Sequence, residues 1–317
     1  MSRQVELADV REAAARIACH AHRTPVATCE TLDRLAGRAL VMKCEQLQKV
    51  GAFKFRGACN AVRKLSDAAA ARGVAAHSSG NHAQALALAA RQRGIAAHIV
   101  MPRDAPAVKR RAVQGYGARL VECEPTLAAR EKALAEVLDA TGAAPVHPYD
   151  DADVIAGQGT AALELLEQAG PLDAIVAPVG GGGLVSGTAI AATGVDPRVR
   201  IFAAEPAGAD DAARSKRAGR LVLQTDPRTI ADGLQTSLGA LTWPVVRDRV
   251  EAVLVVDEAE IAAAMRLAWE RAKLLIEPSA AVALAAVLSE SFRALPGLRR
   301  VGVILSGGNV DLERLPW

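Results

Sequence analysis

The chain has 317 residues, 51% hydrophobic and 23% charged, which allows one large or two ordinary domains and excludes a disordered polymer. The net charge of +3, with no block of five like charges, gives no reason to expect a nucleic-acid partner. Aromatic residues make up only 3%, so the core has to be built from Ala, Val, Leu and Ile.

Residues 1–6 lack an apolar stretch of the kind that opens a secretory leader, so no secretory signal is expected. Asp9 can cap a helix that carries Val10, Ala14, Ile17 and Ala21 on one face. Residues 39–43 read as a strand and 57–66 as a helix opening just after Lys54. Residues 73–77 form a strand that runs into Ser78-Ser79-Gly80-Asn81-His82, with a helix over 83–93. Another strand over 97–101 is closed by Pro102, followed by a helix at 109–116 and a strand at 119–122. Residues 174–195 form the longest uncharged run, yet Pro178 and six glycines make it strand, turn and helix start rather than a membrane span. A strand at 200–204, helices at 258–273 and 279–289, and a last strand at 300–305 complete the reading. Apolar strands each followed by a helix call for parallel sheets covered on both faces, an α/β fold. Cys19, Cys29, Cys44, Cys59 and Cys123 form no CxxC pair and are odd in number, the pattern of reduced thiols.

Four clusters carry chemistry in this frame. Lys54 lies between apolar Phe53 and Phe55, where burial, or the nearby cation Arg56, would lower its amine pKa. A lone lysine is usually a surface residue, so the other clusters have to support this one. Gly180, Gly181, Gly182 and Gly183 stand between an apolar strand and a helix start, where N–H groups and the helix dipole hold a phosphate. Gly187-Thr188 lacks the lysine of a P-loop. Gly181-x-Gly183-x-x-Ser186 lacks the third glycine of a dinucleotide fingerprint, although Glu205 mimics its ribose-binding acid, so that alternative stays open. The turn at Ser78–His82 suits a carboxylate, or is simply a capped turn. Ser306 ends a strand, and its hydroxyl can face a pyridine nitrogen without fully protonating it. Such a ring is a weaker electron sink, better suited to elimination or racemisation than to transamination. Together the clusters supply an amine for an aldehyde, amides for a phosphate and polar groups for a ring, a pocket for pyridoxal 5′-phosphate (PLP).

These motifs resemble the fold-type II PLP enzymes, in their serine/threonine dehydratase and serine racemase branch. The likeness runs from His22-Arg23-Thr24-Pro25-Val26 to Ser306-Gly307-Gly308-Asn309-Val310-Asp311. It includes Val154-Ile155-Ala156-Gly157-Gln158-Gly159-Thr160, Ala231-Asp232-Gly233 and Ile276-Glu277-Pro278-Ser279. It implies a two-domain, tryptophan synthase β-like fold with parallel sheets flanked by helices. Residues 1–72 and 151–317 would form the large cofactor domain, and 73–150 a small mobile domain that closes on substrate. Lys54 would form the imine with PLP and take the substrate α-proton. Phe53 and Asn81 would contact the ring, Gly180 to Gly183 the phosphate, and Ser306 the pyridine nitrogen. Ser78, Asn81 and His82 would bind the substrate carboxylate, with Arg130 close by. The β-hydroxyl would leave, and the released aminoacrylate would hydrolyse to a 2-keto acid and ammonia.

Ser79 discriminates within this branch. Serine racemases carry a serine there as the acid/base on the ring face opposite the lysine, whereas many simple threonine dehydratases carry alanine. Glu205, the Ala209 carbonyl and Asp211 resemble the branch's divalent-cation site, suited to Mg²⁺ or Ca²⁺. The resemblance thus leads to serine/threonine dehydration first, with serine racemisation as the alternative. Dehydration of threo-3-hydroxyaspartate is a further alternative, since residues 100–106 and Pro148-Tyr149-Asp150 are similar to those enzymes. β-Replacement fits less well, because that branch carries a Thr-Ser-Gly-Asn-Thr type of loop; a non-catalytic PLP-binding module is the non-enzymatic option. The stretch Val50-Gly51-Ala52 departs from relatives that carry Thr or Ser there. A homodimer is the family expectation, and the reduced thiols point to a cytoplasmic protein. The end at Trp317 leaves no room for a C-terminal regulatory domain, which points to a catabolic enzyme without isoleucine feedback.

Overall fold

A computed structural model describes residues 4–105 and 107–317. Residues 1–3 and Pro106, the last of the 100–106 segment, lie outside the described residues. In chain order the strands are β1 (Val26–Ala27), β2 (Ala39–Cys44), β3 (Val74–His77), β4 (Ala97–Pro102), β5 (Arg119–Cys123), β6 (Ala144–Pro145), β7 (Ala174–Pro178), β8 (Arg200–Pro206), β9 (Ala252–Val256) and β10 (Arg300–Leu305). Six form a sheet in the order β1-β2-β10-β7-β8-β9, and four a second sheet in the order β5-β4-β3-β6. Every pairing is parallel except β1 with β2.

Alternation along the six-stranded sheet divides its core into two. Leu40, Met42, Val176, Phe202, Ala204, Val301, Val303 and Leu305 pack with the helix Pro278–Leu288 on one face. Val41, Ile175, Ala177, Ile201, Ala203 and Ile304 pack with the helices Ala152–Ala169 and Gly183–Val195 on the other. Successive strand side chains point to opposite faces, so strands that are apolar throughout must be covered on both sides. Each fully buried Leu, Ile or Val here contributes about 1.5–3 kcal/mol of transfer free energy. The small sheet is covered likewise. Val74, Ala76, Ile99 and Met101 meet the helices Lys54–Lys64 and Asn81–Arg93, while Ala75 and Val100 meet Leu127–Thr141.

The structure corrects several boundaries. The first helix, Leu7–Ile17, has Glu6 at its N-cap, and Asp9 instead accepts from Glu6 N at 2.8 Å, the reciprocal half of a capping box. The helix expected from residue 57 begins at Lys54 itself. The long helix expected over 258–273 is α-helical only from Glu258 to Leu267. It continues as a π-turn through Ala272 and stops at Lys273, whose φ is 58°. All five cysteines are free. Among the described residues, no helix is long and apolar enough to cross a membrane.

Candidate active site

The carboxyl ends of parallel strands are where α/β folds place ligands, and the four clusters converge there. Lys54 opens its helix directly after a loop stitched to the end of β10. Phe53 N donates to Ser306 O at 3.0 Å and Gly308 N to Gly51 O at 2.9 Å, with a bridge between Ala52 and Gly307. The glycine turn leaves β7 and opens the helix Gly183–Val195. Gly182 has φ +89°, a conformation side chains resist. A Cβ on Gly180 would come within 2.9 Å of Leu234 Cα. The Ser78–Gly80 turn leaves β3 and opens the helix Asn81–Arg93. Asn81 Nδ2 donates to Glu277 Oε1 and Oε2 at 3.0 and 3.2 Å, and Asn309 Nδ2 donates to Asn81 Oδ1 at 2.8 Å. Asn309 N also donates to Glu277 Oε2 at 3.0 Å. Thus the turn bearing Ser79 and the strand end bearing Ser306 share one buried carboxylate.

Burial sets the protonation at this centre. It pushes the Lys54 amine down to about 8, with the Glu277 carboxylate opposing the fall. A fraction of the amine is therefore neutral near physiological pH, as a nucleophilic lysine requires. Lys54 Nζ donates to Pro148 O at 2.8 Å and lies 5.2 Å from the Phe53 ring centroid. Burial, reinforced by Asp232, raises Glu277 to about 7, while hydrogen bonds from Asn81 and Asn309 restrain the rise. Arg56 takes no part in lowering the lysine, contrary to the sequence reading. It is fully buried and paired to Glu45 and Glu164 at 2.7 Å each.

His82 departs from the expected geometry in one respect. Its Nε2 lies 3.0 Å from Val146 O, its Nδ1 has no partner, and burial holds the ring down to about 3, hence neutral. With Nε2 donating, Nδ1 is an acceptor, so only the main-chain amide of His82 can meet a carboxylate. Arg130 lies on the helix Leu127–Thr141, close enough to hold the His77 imidazole down after burial, and its Nε is buried without a partner.

Glu205, next to last in β8, is a buried carboxylate accepting from Ala212 N at 3.1 Å and Ala213 N at 2.6 Å. Burial, and secondarily Asp211, drives Glu205 up to about 8; Asp211 itself is raised to about 6 by burial. Ala209 is also buried. Among the described residues, no three His, Cys, Asp or Glu side chains gather to hold a metal. Two buried acids with no basic side chain bonded to Glu205 are nonetheless hard oxygen donors of the kind a divalent cation takes.

The role of Glu277 was missed by reading motifs alone. Its signal is a single acid inside the apolar run 274–287, where burial forces a carboxylate to find donors. Val50 has φ 58°, strained for a β-branched residue, and its carbonyl accepts from Asn309 Nδ2 at 2.7 Å. The unusual Val50-Gly51 stretch is thus joined to the same network.

Residues 17–307 match the family described as pyridoxal-phosphate dependent enzyme. The chain is 54% identical to serine racemase of Arabidopsis thaliana, over 98% of this chain and 95% of that one. It is 50% identical to beta-hydroxyaspartate dehydratase of Paracoccus denitrificans (strain Pd 1222), over 98% of each. The crystal structure of serine racemase from Dictyostelium discoideum superposes with a TM-score of 0.94 at 50% identity, covering 97% of this chain and 99% of that one.

Proposed function

This chain belongs to the pyridoxal-phosphate dependent enzymes of fold type II, and from that premise we propose that it racemises serine and also dehydrates it. The observation that carries this reading is Ser79, in the turn that Asn81 ties through Glu277 and Asn309 to the end of β10. That strand end is bonded in turn to the loop bearing Lys54. Racemisation needs two acid/base groups on opposite faces of the substrate α-carbon, and Lys54 and Ser79 are the pair. This places racemisation ahead of simple serine/threonine dehydration, and the similarity to serine racemases supports that order.

The site's residues fit PLP. Gly180, Gly181, Gly182 and Gly183 would take its phosphate, Phe53 and Asn81 its ring, Ser306 its nitrogen and Lys54 its aldehyde. Bound there, the cofactor supplies the electron sink that makes the α-proton acidic. Ser78, Asn81 and the His82 amide orient the substrate carboxylate, with Arg130 near the same strand end. Lys54 removes the α-proton, and Ser79 returns one from the other side. Loss of the β-hydroxyl as water instead gives aminoacrylate, which after release is hydrolysed by water to the 2-keto acid and ammonia. Replacing Ser79 with Ala is expected to lower racemisation by about 10²-fold or more, the usual worth of a positioned acid/base, while elimination from L-serine is retained. The D-serine to pyruvate ratio measures this, and a ratio unchanged from wild type contradicts the pairing.

Dehydration of 3-hydroxyaspartate is a second reading, favoured by the 50% identity to the Paracoccus enzyme and by Pro148-Tyr149-Asp150. Glu205, Asp211 and the Ala209 carbonyl would hold Mg²⁺ or Ca²⁺. A ligand that binds only the folded state stabilises it. Adding Mg²⁺ after chelation is therefore expected to raise the melting temperature of the wild type and leave Glu205→Gln unmoved; a wild type indifferent to the cation contradicts the site. Residues 73–150 would close on the substrate as a unit against 1–72 and 151–317. A cytoplasmic homodimer completes the proposal.

A further inference from the structure

Residues 146–150 cross the site as a strap, and every member of it is engaged. The Val146 carbonyl meets His82 Nε2 at 3.0 Å, and the Pro148 carbonyl receives Lys54 Nζ at 2.8 Å. The strap is braced internally: His147 Nδ1 accepts from Asp150 N at 2.8 Å, and its ring stands edge-on to Tyr149 with centroids 4.6 Å apart. Burial holds His147 down to about 4 despite Asp150, so Nδ1 stays an acceptor at neutral pH.

The far end of the strap is fastened beside the glycine turn. Asp150 accepts from Ala240 N at 3.0 Å and Leu241 N at 2.7 Å, just before the helix Thr242–Arg249. A Cβ on Gly239 would sit 2.2 Å from Asp150 Cγ, so only glycine leaves room for that carboxylate. Thr242 Oγ1 donates to Gly181 O at 2.7 Å and accepts from Gly239 N at 2.8 Å. One helix start therefore anchors both the strap and the glycine turn. Between these anchors the Tyr149 ring lies flush on the turn: a Cβ on Gly181 would fall 2.2–2.4 Å from Tyr149 Cγ, Cδ1 and Cδ2, and one on Gly183 within 3.0 Å of Tyr149 Cβ. Burial raises the phenol's pKa, and the nearby Thr236 side chain restrains the rise.

We propose that Tyr149 is a positioning residue for the cofactor: its ring backs the glycine turn and fixes the turn's N–H groups for the phosphate, and Asp150 is the fastener that keeps the ring there. This rests on the reading of Gly180–Gly183 as the phosphate site. A turn held from only one side would bind the same phosphate at an ordering cost, which appears as weaker affinity.

The test is PLP affinity of the purified full chain, stripped of cofactor and titrated with PLP while the visible absorption band is followed. Tyr149→Ala is expected to weaken PLP binding by about tenfold or more, the scale of a lost aromatic anchor. Gly239→Ala and Asp150→Asn should shift it in the same direction with Tyr149 intact. Tyr149→Phe keeps the ring and should stay within about twofold of wild type. The melting temperature of each cofactor-free variant reports its folding, and the conservative Asp150→Asn keeps the proposal testable if Tyr149→Ala unfolds. Wild-type affinity in Tyr149→Ala, or in Asp150→Asn and Gly239→Ala together, would overturn the strap alone. No PLP uptake by the wild type would overturn the phosphate-site reading and the strap with it.

Discussion

Replacing Lys54 with Ala is expected to abolish turnover and to remove the visible absorption of the lysine-bound cofactor. Lys54 opens its helix at the centre of the converging clusters, and burial brings its amine down to about 8. Its Nζ is held at 2.8 Å by a main-chain carbonyl, that of Pro148. Removal of a covalent catalytic group that also moves the proton costs at least about 10³-fold. Lys54→Arg keeps a cation but cannot be deprotonated in this range, and should be equally inactive. Rates and visible spectra of holo-preparations check both; turnover at the wild-type rate in Lys54→Ala contradicts the assignment.

Replacing Arg56 with Ala is expected to be the most damaging single change to stability. Its guanidinium is fully buried and donates to both oxygens of Glu45, at 2.7 and 2.8 Å, and to both of Glu164, at 2.7 and 2.8 Å. Lys43 Nζ adds a bond to Glu164 at 2.6 Å. Without Arg56, Glu45 remains as a buried carboxylate with no cation bonded to it, an effect of about 3–5 kcal/mol. Arg56→Lys retains the charge but loses the planar fork, and should fall between. The double change Arg56→Met with Glu45→Met should recover much of the loss, because no uncompensated charge is left behind. Urea midpoints resolve these differences, and a wild-type midpoint for Arg56→Ala would contradict the account of the network.

The same two residues show what could be read in the sequence. Lys54 was legible because the Gly, Ser and Asn clusters interrupt apolar strands, and such interruptions mark the strand ends where sites are built. Arg56 was legible as a charge, but its direction was not. Residues two apart on a helix do not share a face, so Arg56 turns away from Lys54 into the ion network. Glu277 and Tyr149 depend on contacts between segments far apart in the chain, which no local pattern carries. The two-residue β1 is too short to display a period of two, and so the antiparallel edge went unread. The π-turn after Leu267 likewise has no break residue within it, since Ala268 to Ala272 are ordinary helix formers.

Racemisation is decided by a product assay: purified, PLP-loaded enzyme given L-serine, L-threonine or threo-3-hydroxyaspartate, with D-serine and keto acids measured together. D-serine is expected from L-serine, accompanied by pyruvate. Keto acid from hydroxyaspartate, with no D-serine from L-serine, would contradict racemisation in favour of the second reading. No product from any of the three would contradict the proposed activity altogether.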